Sequence, residues 1–363
     1  MTELSGLDRR WLDAAARLAR AATGAIAGRS PAAALVVDEG QQVLLGRGVT
    51  GRVVTFAETH AIEEARQAAE GRVLYTTLEP TSLWGRTPPP TEAIIKGRPA
   101  RVVIGAMHPD PAQAGQGVAR LRSAGIAVLD GRHAPSQSLY AAERLSHREG
   151  RPFVTGKLLV SRDGMIGRPN QRDAITGSED SQRFIQMLRA TSDATMIGAR
   201  AARIDDPKLF VRLKGLDSRI YQRFVVVGSE PLDTGLNLIA GVSGYPTAVI
   251  SVAGRDYDIP SAIDQIVVDG RAGRPNLRRA MVALTSRGIV TLLVEGGARL
   301  IEGFLAAELI DRFHLVTTEA TIGKGGIPAT MLGGLDGRLR AAGLVEVDRR
   351  ALGPDKLRTF ERE

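Results

Sequence analysis

Two rhythms of apolar residues alternate along this chain. Leu7, Trp11, Leu12, Ala15, Leu18, Ala19 and Ala22 keep the three-and-four spacing of an amphipathic helix. Residues 33–37 form a continuous apolar run, and the turn Asp38-Glu39-Gly40 leads into 43–48, which predicts a hairpin. The same reading predicts a helix over 58–69, a strand over 73–78, and a helix starting at 92–96. A strand over 101–106, a helix over 117–124, a strand over 126–129 and a linker helix over 134–150 follow. At Arg151-Pro152-Phe153 the composition changes, which sets two domains, 1–148 and 149–363. Beyond it a strand carries Lys157 and turns at Ser161-Arg162-Asp163-Gly164. A helix over 181–189 and a strand over 193–198 lead to the loop Ile204-Asp205-Asp206-Pro207 and the run 209–212. Strands are expected at 224–228, 247–250, 265–268 and 289–294, with helices at 277–286 and 298–306. Segments 310–316 and 344–347 finish the sheet. Alternation of this kind predicts an α/β layer fold in both halves.

Composition narrows the chemistry. The 363 residues are 43% apolar but only 4% aromatic, so aliphatic side chains must fill the cores. There is no cysteine, which removes disulfides, thiolate catalysis and cysteine-held zinc together. The net charge is +8, which suits nucleic acid or a small phosphorylated substrate. The arginines are scattered, without a basic tail or an aromatic-rich basic stripe, so no nucleic-acid ligand is expected. No apolar run approaches the roughly 20 residues of a membrane span. The charged start does not read as a signal peptide. A cytoplasmic protein without a membrane partner is expected.

The stretch from Phe56 to Pro90 carries a pattern of its own. A zinc-dependent nucleobase deaminase needs His-x-Glu at a helix start, then Pro-Cys and a further Cys; the Glu moves protons without touching the metal. Here Phe56-Ala57-Glu58 stands for the first word and Glu79-Pro80-Thr81 for the second, closing at Thr87-Pro88-Pro89-Pro90. Phe56, Thr81 and Pro90 occupy the three ligand places, and Glu58 remains. Phenylalanine and proline offer no side-chain lone pair, and neutral threonine is a poor zinc ligand. His60, one helical turn on, faces the same way or is a helix-surface residue.

These words, with Gly85-Arg86-Thr87-Pro88-Pro89, make the chain resemble the bifunctional deaminase–reductase family of riboflavin biosynthesis. The resemblance implies a cytidine-deaminase-like three-layer domain followed by a dihydrofolate-reductase-like domain. Lys157, Ser161-x-Asp163-Gly164, Leu188-Arg189-Ala190, Asp205-Asp206-Pro207 and Val294-Glu295-Gly296-Gly297 carry it in the second half. It implies NADPH as cofactor and a phosphorylated aminopyrimidine as substrate, whose ribosyl group becomes a ribityl chain. No zinc is expected and the first domain is expected to be inactive. By the same resemblance Arg189, Asp206, Arg212 and Glu295 bind substrate, and Lys157, Asp206 and Glu295 are catalytic. Lys157, Ser161, Asp163, Gly164, Thr176, Gly198, Gly296 and Gly297 are the expected cofactor residues. A homodimer through the reductase domains is implied as well.

Each residue also has a plainer reading. Lys157 can be an edge charge, Asp205-Asp206-Pro207 a turn, Arg189 a complement to a helix dipole, and the paired glycines a tight connection. The chain departs from the family at Arg29-Ser30, where an Asn-Pro pair is usual, at Ala174, where a tryptophan is usual, and at Ala201, often a threonine. Two alternatives follow: a diverged reductase acting on another ribosylated or carbonyl compound, or a non-catalytic nucleotide sensor or scaffold.

Overall fold

The structure, a computed structural model, describes residues 3–24, 30–50, 56–130, 132–169, 171–172, 175–216, 221–229, 232–240, 245–255, 257–330 and 334–362. Arg29 and Ala174, singled out above, lie outside the described residues. Two compact units divide the chain, Met1–Glu149 and Gly150–Glu363.

The first unit is built on a five-stranded sheet ordered Val43–Val49, Ala33–Asp38, Val73–Thr76, Arg101–Ile104, Ala127–Asp130. The first three strands pair antiparallel and the last three parallel. Successive side chains on a strand point to opposite faces. Ala34, Val36, Leu74 and Val102 therefore pack on helices Ala57–Ala65, Pro90–Gly97 and Gln116–Ser123. Leu35, Val37, Tyr75 and Val103 meet Leu12 and Ala15 of the opening helix, Gly6–Ala21. Helices on both faces make three layers.

Local chemistry fixes these elements. Helix Gly6–Ala21 begins with a capping box in which Ser5 and Asp8 satisfy each other's backbone N–H groups. Asp8 also receives Tyr75 Oη–H (3.1 Å) and Arg101 Nη2 (2.8 Å), and Arg101 reaches Glu39 at 2.6 Å. One arginine thus ties the helix to the sheet. On the other face, a side chain at Gly46 or Gly48 would collide with the carbonyls of Ala61 and Ala57. Helix and edge strand approach this closely because alanine, at four-residue intervals, faces glycine. Helix 134–150 is broken in two, Ala134–Leu139 and Ala141–Glu149. Tyr140, at the break, is buried, with its hydroxyl 2.7 Å from that of Thr77.

The second unit holds a nine-stranded sheet. Its order is Asp264–Val268, Thr247–Val252, Gln222–Val226, Ala194–Gly198, Thr291–Glu295, Phe153–Val160, Arg312–Thr317, Asp355–Arg362, Leu344–Leu352. The first seven strands are mutually parallel, and the last two form an antiparallel hairpin on that edge. Strand Asp355–Arg362 was not anticipated, because Lys356, Arg358 and Arg362 dilute its apolar positions. Segment 199–205, whose end was read as part of a loop, is a helix, Ala199–Asp205. At the start of this unit Arg151 grips Asp311 with two bonds of 2.7 Å, and Asp311 also accepts from Val154 N–H at 2.8 Å. That pairing anchors the amino end of strand Phe153–Val160, on which Lys157 rides.

No described helix is long and apolar enough to cross a membrane.

One residue of the first unit has an outsized structural task. Glu79, buried, accepts hydrogen bonds from the backbone N–H groups of His108 (3.1 Å), Gly115 (3.0 Å) and Val118 (3.1 Å). Removing it leaves the buried Val118 N–H without a partner, and two half-buried donors with it. We predict that Glu79→Ala destabilises the first unit by about 1–3 kcal/mol, the cost of an unsatisfied buried group. Both tryptophans, Trp11 and Trp84, lie in this unit, so urea unfolding followed by tryptophan fluorescence reads the loss directly. An unchanged midpoint would show that Glu79 is dispensable.

Candidate functional site

Ligands of open parallel sheets settle at the carboxyl ends of the strands. Three neighbouring strands converge there in the second unit. Thr291–Glu295 lies between Ala194–Gly198 and Phe153–Val160, with Glu295 in register with Lys157. The Glu295 carboxylate is buried beneath a cavity of about 760 Å³. It receives Arg189 Nε on Oε1 and Arg189 Nη2 on Oε2 at 2.8 Å, a forked pairing. Lys157 Nζ stands 3.4 Å from Oε2, and Thr195 Oγ1 donates at 3.1 Å to Oε1. Burial pushes the Glu295 carboxyl up, but Arg189 and Lys157 outweigh it and hold it down at about 2. Burial pushes the Lys157 ammonium down, and Glu295 only partly opposes this.

The cavity is strongly basic. Among the expected residues, Lys157, Arg189 and Arg212 line it; so do Arg168, Arg200, Lys208 and Arg299, none of which the sequence reading assigned a role. Among the described lining residues, the seven cations face one carboxylate, Asp205. Gly198, Gly296 and Gly297 lie on the wall as expected. Gly296 (φ 89°) and Gly297 (φ 81°) adopt the left-handed backbone that favours glycine, at the start of helix Ala298–Ala306.

Other expected residues are placed elsewhere. Asp206 caps helix Ala199–Asp205 in the left-handed region, and its carboxylate accepts from Asn237 N (2.7 Å) and Nδ2 (2.6 Å). The turn at Asp206 thus leaves its neighbour Asp205 on the cavity wall. Ser161 donates to Asp163 at 2.6 Å, and Asp163 accepts from Ile322 N (3.1 Å) and Gly323 N (2.8 Å). The Ser161 hydroxyl, aided by those two amides, holds the Asp163 carboxyl down at about 2. Ser161, Asp163 and Gly164 form the turn that leads into Met165–Gly167; that short strand pairs with Ile327–Pro328, and Ile166, Gly167, Ile327 and Pro328 line the cavity. Thr176 is exposed, and its neighbour Ile175 lies on the wall.

In the first unit Phe56 and Pro89 immediately precede helices Ala57–Ala65 and Pro90–Gly97, and Pro90 is buried at the start of the second helix. The Thr81 hydroxyl accepts from Leu83 N at 3.2 Å and lies 3.4 Å from Gln113 Oε1. His60 borders a groove of about 860 Å³ together with Phe56 and Pro89. Among the described residues, no group of three or more His, Asp or Glu is placed to hold a metal ion. A donor set of Phe56, Thr81 and Pro90 does not fit zinc. Glu58 is buried, with Thr76 Oγ1 donating to it at 2.6 Å; burial pushes its carboxyl up, and that bond only partly offsets the push.

The Glu295 pairing carries a prediction. A carboxyl held at about 2 rather than its ordinary 4.5 contributes stability that is full above about pH 4.5 and lost as pH falls toward 2. Glu295→Gln should therefore flatten the acid limb of the stability curve in that window. It should also cost about 3–5 kcal/mol at neutral pH, because two buried cations lose their partner. Thermal unfolding of both proteins across that pH range checks it; parallel curves would refute the pairing.

Comparison with known proteins follows the geometry. Residues 152–352, more than half the chain, match the family model of the RibD C-terminal domain. The chain is 30% identical to the riboflavin biosynthesis protein RibD of Chlamydia trachomatis over 317 residues, covering 84% of this chain and 82% of that one. Against RibD of Escherichia coli the identity is 29% over 338 residues, 88% of this chain and 90% of that one. Acinetobacter baumannii RibD superposes with a TM-score of 0.85 at 23% identity, covering 98% of this chain and 99% of that one. A diaminohydroxyphosphoribosylaminopyrimidine deaminase/5-amino-6-(5-phosphoribosylamino)uracil reductase from Thermotoga maritima gives 0.82 at 22%, with the same coverage. These superpositions establish the fold, a cytidine-deaminase-like unit followed by a dihydrofolate-reductase-like unit. With its second unit matched by the family model and most of its length aligned to curated relatives, the chain belongs to the RibD family of riboflavin biosynthesis proteins.

Proposed function

We propose that this chain is the reductase of riboflavin biosynthesis, converting 5-amino-6-(5-phosphoribosylamino)uracil to its ribityl form with NADPH, and that its first unit does not deaminate. The observation carrying the reading is the cavity at the strand ends, where seven cations and the buried Glu295 group surround space for a phosphorylated ligand. The residues fit the dinucleotide as well. Glycines at positive φ, with nothing within 4 Å of a Cβ built on Gly296, leave backbone free to approach a phosphate. NADPH, when bound, supplies the hydride. Gly198, Gly296 and Gly297 would hold it, with Arg200 and Arg299 on the same wall.

The protein's own share is positioning and proton handling. Arg212 and Lys208 would grip the substrate phosphate. Glu295 fixes Lys157 and Arg189 in place. Lys157, whose proton is loosened by burial, would donate to the heteroatom on the sugar carbon that is reduced. Asp205 faces the cavity and would accept a ribose hydroxyl, whereas Asp206 secures the loop behind it. The expected homodimer, cytoplasmic location and absence of a nucleic-acid ligand belong to the same reading. Ala201, which departs from the family and lines the cavity, favours the alternative of another ribosylated or carbonyl substrate.

Purified protein decides between these. The expected outcome is oxidation of NADPH with the deaminated substrate, no ammonia released from its diamino precursor, and no zinc by elemental analysis. Ammonia release would overturn the inactive first unit. Turnover confined to other carbonyl compounds would favour the alternative. Lys157→Met should lower kcat by about 10²–10⁴-fold, the usual share of a general acid; a kcat within threefold of the parent would remove Lys157 from that role.

A further inference from the structure

Arg223 is the second residue of a parallel strand, Gln222–Val226, with no exposed surface at all. Among the described residues no carboxylate pairs with it. Its Nη1 donates to the Lys208 carbonyl at 3.0 Å and its Nη2 to the Tyr245 carbonyl at 2.8 Å. The guanidinium carbon is 5.6 Å from the ring centroids of both Phe210 and Tyr245, and those rings stack at 4.5 Å. Its Nε has no partner. Burying a cation on carbonyls and rings alone is unfavourable, so an apolar side chain of similar volume would serve stability as well or better.

What Arg223 holds explains its presence. Segment 206–212 has no regular secondary structure, yet it forms one wall of the cavity. Asp206 (φ 40°) and Leu209 (φ 51°) both occupy the left-handed region, where non-glycine residues are strained. The segment is kept in that shape by side chains reaching its backbone or its ends. Arg223 takes the Lys208 carbonyl, Arg189 approaches the Phe210 carbonyl at 3.5 Å, Gln186 accepts from Arg212 N at 2.8 Å, and Asp206 binds Asn237. Between these fixings Lys208 and Arg212 line the cavity.

We infer that Arg223 is a positioning residue for the reductase site: it fixes the strained 206–212 segment so that Lys208 and Arg212 stand at a set spacing for the substrate's phosphate. The inference rests on the reading of that wall as the phosphate-binding side. Arg223 touches no ligand itself. Its effect should appear in recognition of the phosphorylated substrate rather than in folding or in NADPH binding.

The experiment compares the full-length parent with Arg223→Met, Arg223→Lys and Arg212→Ala. It follows steady-state kinetics, calorimetry with ribose 5-phosphate as the phosphate probe, and amide hydrogen exchange. Arg223→Met should raise KM for the aminopyrimidine about tenfold or more while kcat and the Kd for NADPH change less than about threefold, the pattern of lost ground-state binding. Ribose 5-phosphate affinity should fall in parallel, and exchange should quicken at 208–212 and not across the sheet. Arg223→Lys, which keeps the charge but lacks the fork to reach both carbonyls, should lie between and stands in if the methionine variant does not fold. An unchanged KM with unchanged exchange at 208–212, or a uniform rise in exchange across the unit, would overturn the inference. Arg212→Ala separates the two levels: if it leaves KM and probe affinity intact, the phosphate reading of this wall fails, while the exchange data still judge Arg223.

Discussion

A carboxylate sealed between a guanidinium and an ammonium is the constraint on which the reductase site is built. The buried Glu295 carboxylate is tolerable because Arg189 and Lys157, both on the cavity wall, are within reach. The sheet supplies that reach. Parallel pairing sets Glu295 beside Lys157, and the neighbouring strand contributes Thr195 to the same oxygen as Arg189. Once this group is fixed, the end of helix Glu179–Ala190 is fixed with it, since Arg189 belongs to that helix. Two of the seven cations lining the cavity, Lys157 and Arg189, are set in place by this group.

Much of this was legible from the residues. Periodicity gave the opening helix to within a residue at each end, because its apolar stripe is uninterrupted. Lys157, inside an apolar strand, and Glu295, at the end of another, were singled out by the family resemblance. What escaped was set by contacts between distant segments. Asp205 and Asp206 are indistinguishable in sequence; only a left-handed turn at the helix end assigns one to the cavity and the other to Asn237. Arg223 falls just before the strand expected at 224–228, and only the fold shows that its head meets Lys208 and Tyr245. Ser161 and Asp163 were expected at the cofactor, but their bonds go to Met165, Ile322 and Gly323, so their bearing on the cavity is through the short strand that follows them. Tyr140 bends what periodicity alone makes one helix, because its hydroxyl has a partner in the core.

The first unit is held together by contacts that lie apart from positions 56 and 81. Its described layers are held by the Asp8–Arg101–Glu39 group, by Glu79 bridging three backbone amides, and by apolar faces on both sides of the sheet. None of these passes through Phe56 or Thr81. The stabilising contacts and the side chains at positions 56 and 81 are therefore separate sets of atoms.

The glycine–alanine contact between strand Val43–Val49 and helix Ala57–Ala65 gives that separation a mechanical basis. The helix is seated by the absence of side chains on Gly46 and Gly48, and that absence does not depend on which residue stands at the head of the helix. Substitution at position 56 therefore leaves the seat of the helix in place at little mechanical cost. The head of the helix has room for exchange, and the seam behind it has almost none.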